Sequence, residues 1–384
     1  MEAEGSFAFM IHPIEPRKDV ARKFPLLGKL PVGVINYFSA FFPPVYLSHV
    51  TGVRSVATGK EIQGWLIACP MTPQRLLQVS LPLAYRKLVQ AGRMAERLGA
   101  RILGLGAFTG VVGDAGVSVA RQLSIPVTTG NSYTVAVAVD AALEGARRMD
   151  LDPARSTAAV VGAYGSTGQA CARLLAGRVA RLLLVGRERG HLEEVRRQIE
   201  AELENASTST SDIRLNQVVA SDRLEDVCQA DIVLTVTSAV EPIIAPEHLK
   251  SGAVICDVAR PRNVSRCVAQ RRNDVLVIEG GVVDVPGRVD FGFNFGFPPG
   301  QAYACMAETM VLAMEGRYES YSLGRELSLD RVAEISELAA RHGFRLSGFR
   351  SFERMVSEQE IAEIRRRAHQ VEYARPAAGV SASP

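Results

Sequence analysis

The chain has 384 residues, 47% of them hydrophobic and 22% charged, a balance that suits a globular chain of two or three domains and excludes a disordered one. Its 44 lysines and arginines against 41 acidic residues leave a net charge of +3, with no basic run interleaved with aromatics, so no nucleic-acid partner is expected. The first residues lack the basic and apolar regions of a secretory signal, and the six cysteines show no CxxC or Cys/His spacing; a cytoplasmic chain without zinc or a disulfide framework is expected.

In chain order, Leu30 to Ser48 comes first: it is uncharged and nearly long enough for a membrane span. Pro31, Pro43 and Pro44 would break a helix there, so a buried segment is expected. The alternative is an aromatic surface over 30–48 that touches a membrane peripherally or lines a channel for an apolar chain. Pro73 to Leu98 reads as helix interrupted near Pro82, and Arg101 to Phe108 as a buried strand entering a glycine-rich loop. Ile125 to Thr129 is another short strand, and Gly130-Asn131-Ser132 a turn that starts a long helix to about Met149.

From Ser156 the pattern is strand, crossover, strand: Ser156–Val161, Ala180–Val185, Leu215–Ala220, Ile232–Val236, Ala253–Cys256 and Val275–Ile278 alternate with helical stretches. That makes the fold class α/β, a Rossmann-type doubly wound parallel sheet, joined to an N-terminal α/β domain and C-terminal helices. The expected division is an α/β substrate domain over 1–132, a nucleotide domain over 133–300, and a helical segment over 301–384. That last segment packs between the domains and ends in a disordered tail at 375–384. Gln301 to Met314 is apolar nearly all round, as a helix buried between domains would be.

Gly162-Ala163-Tyr164-Gly165-Ser166-Thr167-Gly168 follows a strand and opens a helix. Glycines there let the backbone approach a pyrophosphate, whose charge meets free amides at the helix start. An NAD site needs an acidic residue at the end of the next strand, but this chain places Arg187 there, matched to a 2′-phosphate. NADPH is therefore the expected cofactor, held by Gly162, Gly165, Ser166, Thr167, Gly168 and Arg187. Thr128, Thr129 and Asn131 are weaker candidates for substrate contact, because helix capping alone explains them. His12 and His342 are candidate proton donors, and Asp257 ends a strand whose loop is expected near the nicotinamide.

Pro298-Pro299-Gly300 seeds a helix that holds Cys305 in its first two turns, where aligned amides lower a thiol pKa. Composition alone makes such a cysteine a small hydrophobe more often than a nucleophile. Cys171, Cys228, Cys256 and Cys267 read as core fillers.

The chain resembles the cyanobacterial-type long-chain acyl-[acyl-carrier-protein] reductases from about Val50 to Phe344. The likeness rests on Ala57-Thr58-Gly59-Lys60, on Leu103 to Thr109, on Thr128 to Thr134 and on Val161 to Gly165. It continues through Gly280 to Val283, Gln301 to Glu308 and Arg341 to Phe344. It implies an NADPH-dependent reduction of a fatty acyl thioester to an aldehyde, the acyl group passing from acyl carrier protein or acyl-CoA to Cys305. The chain departs from the pattern in its apolar N-terminal stretch, in Tyr164 within the nucleotide loop, and in about 40 residues after Phe344. The alternative is an amino-acid- or shikimate-type dehydrogenase with no covalent intermediate, and beyond that a nucleotide-sensing scaffold without chemistry.

Overall fold

The computed structural model describes residues 5–206 and 217–374. β1 (Gly5–Ile11) leads into an arm of two short helices, α1 (Pro16–Lys23) and α2 (Val32–Ser39). β2 (Val45–Arg54) and β3 (Glu61–Ala68) follow, then α3 (Pro73–Gln78) and α4 (Leu81–Arg97). Those two helices break where the sequence suggests, with Val79 and Ser80 extended and Pro82 in the first turn of α4. β4 (Leu103–Leu105), two single turns α5 (Val112–Ala115) and α6 (Val117–Ala120), and β5 (Val127–Thr128) complete this part. In the resulting sheet β3, β1, β4 and β5 run parallel, while β2 lies antiparallel on the β3 edge.

α7 (Asn131–Arg148) crosses to the second sheet, built from β6 (Thr157–Val161), α8 (Ser166–Ala176), β7 (Arg181–Val185), α9 (Arg189–Ala206), β8 (Gln217–Ser221) and β9 (Ile232–Thr235). β10 (Val254–Asp257), α10 (Arg266–Arg271) and β11 (Leu276–Glu279) close it. Its order is β11-β10-β9-β6-β7-β8 and every pair is parallel. The expected Rossmann-type α/β architecture is present. The strand order reverses between β6 and β9, and at such a switch point the strand ends leave a crevice that takes ligand.

The chain then turns back: β12 (Val282–Asp284) pairs with β14 (Gln301–Tyr303), while β13 (Gly287–Asp290) joins the first sheet beside β2. α11 (Ala304–Met314) follows, then α12 (Leu329–His342) and α13 (Glu358–Ala374). α11 is apolar all round because it is covered all round, by β1, β3 and β4 on one side and by α7 and α12 on the other. Met306, Met310, Val311 and Leu312 are almost wholly buried, each worth about 1.5–3 kcal/mol relative to exposure. Gly104 permits the close packing of β4 on α11, since a Cβ there would lie 2.2 Å from Thr309 Oγ1; Gly145 does the same for α7 on β10, where a Cβ would lie 2.9 Å from Val254 Cγ1.

The apolar N-terminal stretch departs from expectation. Only Ile35 and Ser39 of α2 are buried, while Tyr37, Phe38 and Phe41 are 55%, 50% and 64% exposed. The prolines cut the stretch into a two-turn helix, too short to carry its aromatics into the core. Among the described residues no helix is long and apolar enough to cross a membrane. The tail at 375–384 and most of the serine- and threonine-rich loop at 205–212 lie outside the described residues.

Candidate active site

A cavity of about 1660 Å³ opens between the two sheets at the C-terminal ends of their parallel strands. It is larger than the roughly 300–1,000 Å³ that holds one small ligand. Gly162, Gly165, Ser166, Thr167 and Arg187 line one part of it, Gly106, Ala107, Thr129, Asn131 and Cys305 another. The arm supplies an apolar wall through Phe24, Leu27, Leu30, Val34, Phe38 and Phe42. The nucleotide loop and the thiol, 143 positions apart in sequence, thus share one space.

The loop fits a dinucleotide. Gly162 sits at φ +91°, a left-handed conformation that favours glycine. A side chain on Gly168 would come 2.1 Å from the Gly162 carbonyl oxygen, so Gly168 allows α8 to pack against the loop and does not itself line the cavity. Nothing but the Gly162 carbonyl lies near the open face of Gly165. Tyr164 does not block this seat, because its ring lies over Gly186 and beside His191. Arg187 is exposed at the end of β7 and has no ion-pair partner among the described residues.

Cys305 is the second residue of α11, after Tyr303 at the N-cap, and is half-buried. Gly130, at φ +73°, presses on it: a Cβ there would lie 2.2 Å from Cys305 Cα. The expectation of a thiol activated by the helix start is not met. Burial pushes the Cys305 pKa up to about 12, and the Glu308 carboxylate adds to the rise. The amides of Met306, Cys305 and Ala107 pull the other way without overcoming it. At neutral pH the sulfur rests protonated, because its desolvation outweighs the help of three amides. Gly300 is outside the cavity, and its carbonyl accepts from Val285 N.

Glu308, wholly buried, ties the β5–α7 turn beneath the thiol. It accepts from Thr128 Oγ1 at 2.5 Å, Tyr133 N at 2.9 Å and Ser322 Oγ at 2.8 Å. Thr128 is therefore fully buried and committed to Glu308, and Thr129 donates to the Ser322 carbonyl. Thr129 and Asn131 face the cavity, whereas Thr128 does not. His342 is away from the cavity, bonded to Ser55 Oγ and Glu315. Asp257 is buried and accepts from Ala259 N and Val264 N, which shapes the loop that brings Val258, Ala259 and Arg260 to the cavity wall. Cys171 and Cys256 are core fillers as expected, but Cys228 and Cys267 are exposed, since both fall on short surface helices.

Ala107 also lies beside the thiol, and no motif marks it in the sequence. It follows β4 at φ +47°, rare for a residue with a side chain, and its amide faces Cys305. The only signal was the glycine-rich run at the end of a strand.

Residues 145–279 match the model of the shikimate / quinate 5-dehydrogenase family. The chain is 33% identical over 316 residues to the aminotransferase PigE of Serratia sp. (strain ATCC 39006), covering 82% of this chain but 36% of that protein. It is 29% identical over 346 residues to the long-chain acyl-[acyl-carrier-protein] reductase of Synechococcus elongatus (strain ATCC 33912 / PCC 7942 / FACHB-805), covering 86% of this chain and 95% of that one. The α/β architecture is that of a Rossmann-type oxidoreductase fold. Among solved structures, the quinate dehydrogenase of Corynebacterium glutamicum in complex with NAD is 12% identical with a TM-score of 0.34, over 87% of this chain and 99% of that one. Likeness of that order adds nothing about substrate.

Proposed function

We propose that this protein reduces a long-chain fatty acyl thioester to the aldehyde with NADPH, through an acyl group held on Cys305. The observation that carries the reading is the shared cavity: the thiol, the nucleotide loop and a long apolar wall bound one space. The relative from Synechococcus elongatus, named for reduction of long-chain acyl groups on acyl carrier protein, aligns across both sheets and supports it.

Cys305 attacks the acyl carbonyl of acyl-ACP or acyl-CoA; a carbon–sulfur bond forms, the carrier's carbon–sulfur bond breaks, and the thiol proton passes to the departing carrier sulfur. Exchange of one thioester for another is nearly neutral in energy, so the protein's task is positioning and stabilising developing charge. Gly162, Gly165, Ser166 and Thr167 would hold the pyrophosphate, and Arg187 the 2′-phosphate. Bound NADPH supplies hydride. With one proton from solvent, the acyl group leaves as aldehyde and Cys305 is again a thiol. Burial of the thiol keeps water from hydrolysing the acyl-enzyme. The exposed aromatic face of α2 would let the protein draw substrate from, or rest on, a lipid surface.

A second reading has support of its own. The shikimate / quinate 5-dehydrogenase match favours hydride transfer directly to a small substrate, with Cys305 as packing. That match ends at Glu279, so it speaks for the nucleotide half. Cys305→Ala separates the two. Under the thioester reading it abolishes aldehyde formation and leaves NADPH affinity unchanged; undiminished turnover in that variant would establish the direct dehydrogenase.

A further inference from the structure

His12 is buried, 6% exposed, and lines the cavity from the loop after β1. Its Nε2 accepts from the Phe108 amide at 3.0 Å, which places the ring proton on Nδ1. Burial lowers its pKa to about 4, so the ring stays neutral and Nε2 remains an acceptor at physiological pH. The Pro13 carbonyl lies near the ring, but among the described residues nothing meets Nδ1 in hydrogen-bond geometry. A buried imidazole with half its capacity unmet is costly for packing alone.

What the ring grips is the peptide next to Ala107. Gly106 N donates to Met10 O at 2.9 Å, Thr109 Oγ1 to Gly106 O at 2.7 Å, and Phe108 N to His12. These three bonds bracket Ala107 and hold its left-handed backbone, a conformation that costs of order 1–3 kcal/mol unless its surroundings impose it. β4, just before this turn, is packed on α11 through Gly104 and Thr309, so the turn is rigid relative to Cys305.

We infer that the Ala107 amide is a catalytic anion donor for the acyl-transfer step on Cys305, and that His12 is the positioning residue that aims it. The inference rests on the thioester reading. As the sulfur adds to the carbonyl, negative charge develops beside the sulfur, where the Ala107 amide already points together with the amides of Cys305 and Met306. Glu308 is the titratable group facing the thiol, and burial raises its own pKa. Glutamine at position 12 can still accept from Phe108 N–H; asparagine is too short, and leucine offers no acceptor.

The test compares His12→Gln, His12→Asn and His12→Leu by two measurements without NADPH. One is the rate of Cys305 acylation by palmitoyl-CoA, read by intact mass. The other is the pH profile of Cys305 alkylation by iodoacetamide, with Cys305→Ala giving the background. His12→Asn and His12→Leu are expected to acylate at least about tenfold more slowly and to shift the alkylation profile to higher pH. His12→Gln should recover most of both. His12→Asn decides the matter if the leucine variant fails to fold. Acylation within twofold of the unaltered protein in the asparagine variant, or a glutamine variant as slow as it, would overturn the assignment. If the unaltered protein takes no acyl group, the thioester reading and this inference fall together; if it does and the variants match it, only the inference falls.

Discussion

At the scale of single residues, the sulfur is set by opposing local terms. Three amides favour a thiolate, and burial with Glu308 opposes it and wins, leaving the pKa at about 12. A low-pKa cysteine reacts with any electrophile; a protonated one reacts where a bound substrate is positioned and its leaving sulfur can take the proton. Arg187, the side chain proposed to meet the 2′-phosphate, is free of any ion pair among the described residues. Charge-assisted hydrogen bonds to a 2′-phosphate are worth about 1.5–3 kcal/mol. Arg187→Ala should therefore weaken NADPH binding by roughly ten- to hundredfold and leave NADH affinity unchanged, as titration of nucleotide fluorescence would show. Equal losses for both nucleotides would mean that Arg187 does not read the phosphate. The arginine was legible in the sequence because it occupies a position fixed by strand length. The Ala107 backbone was not: nothing in an alanine announces a left-handed φ, and the partner that holds its neighbour lies 96 positions away.

At the scale of elements, legibility followed burial. The strands of the second sheet are covered on both faces, so they read as continuous apolar runs separated by helices. β4 and β5 have three and two residues, too few to show a period, and their neighbours are chosen by distant pairing. The Thr128–Tyr133 turn was read as capping because its real partner, Glu308, is about 180 positions on. The stretch 30–48, for which burial was expected and an aromatic surface was the alternative, serves a cavity wall on one face and remains exposed on the other. Phe38 belongs to both descriptions. Phe38→Glu puts a charge against the cavity wall proposed to hold the acyl chain. KM for a sixteen-carbon acyl thioester should rise about tenfold or more, from the loss of apolar contact. KM for a four-carbon analogue should stay within about twofold. Equal effects on both chains would remove the arm from substrate binding.

At the scale of the whole molecule, the two sheets face each other across one cavity, and α7 and α11 fill the seam between them. α11 carries the thiol into that cavity from its second residue, while the β6–α8 loop brings the nucleotide seat to the same space. α11 packs on the first sheet, α7 on the second, and the two helices pack on each other, so the core couples the position of the sulfur to that of the nucleotide seat. The division into two sheets was readable from the glycine loop and the strand pattern; the return of β13 to the first sheet, which ties the halves together, was not, because a four-residue edge strand carries no apolar run. The central claim is that this core presents Cys305 as an acyl acceptor. Intact-mass spectrometry after incubation with palmitoyl-CoA, with NADPH left out, tests it most directly. The account predicts one added palmitoyl mass, located on the peptide containing Cys305 and discharged when NADPH is supplied. An unmodified protein, or acyl groups found only on the exposed Cys228 and Cys267, would contradict it.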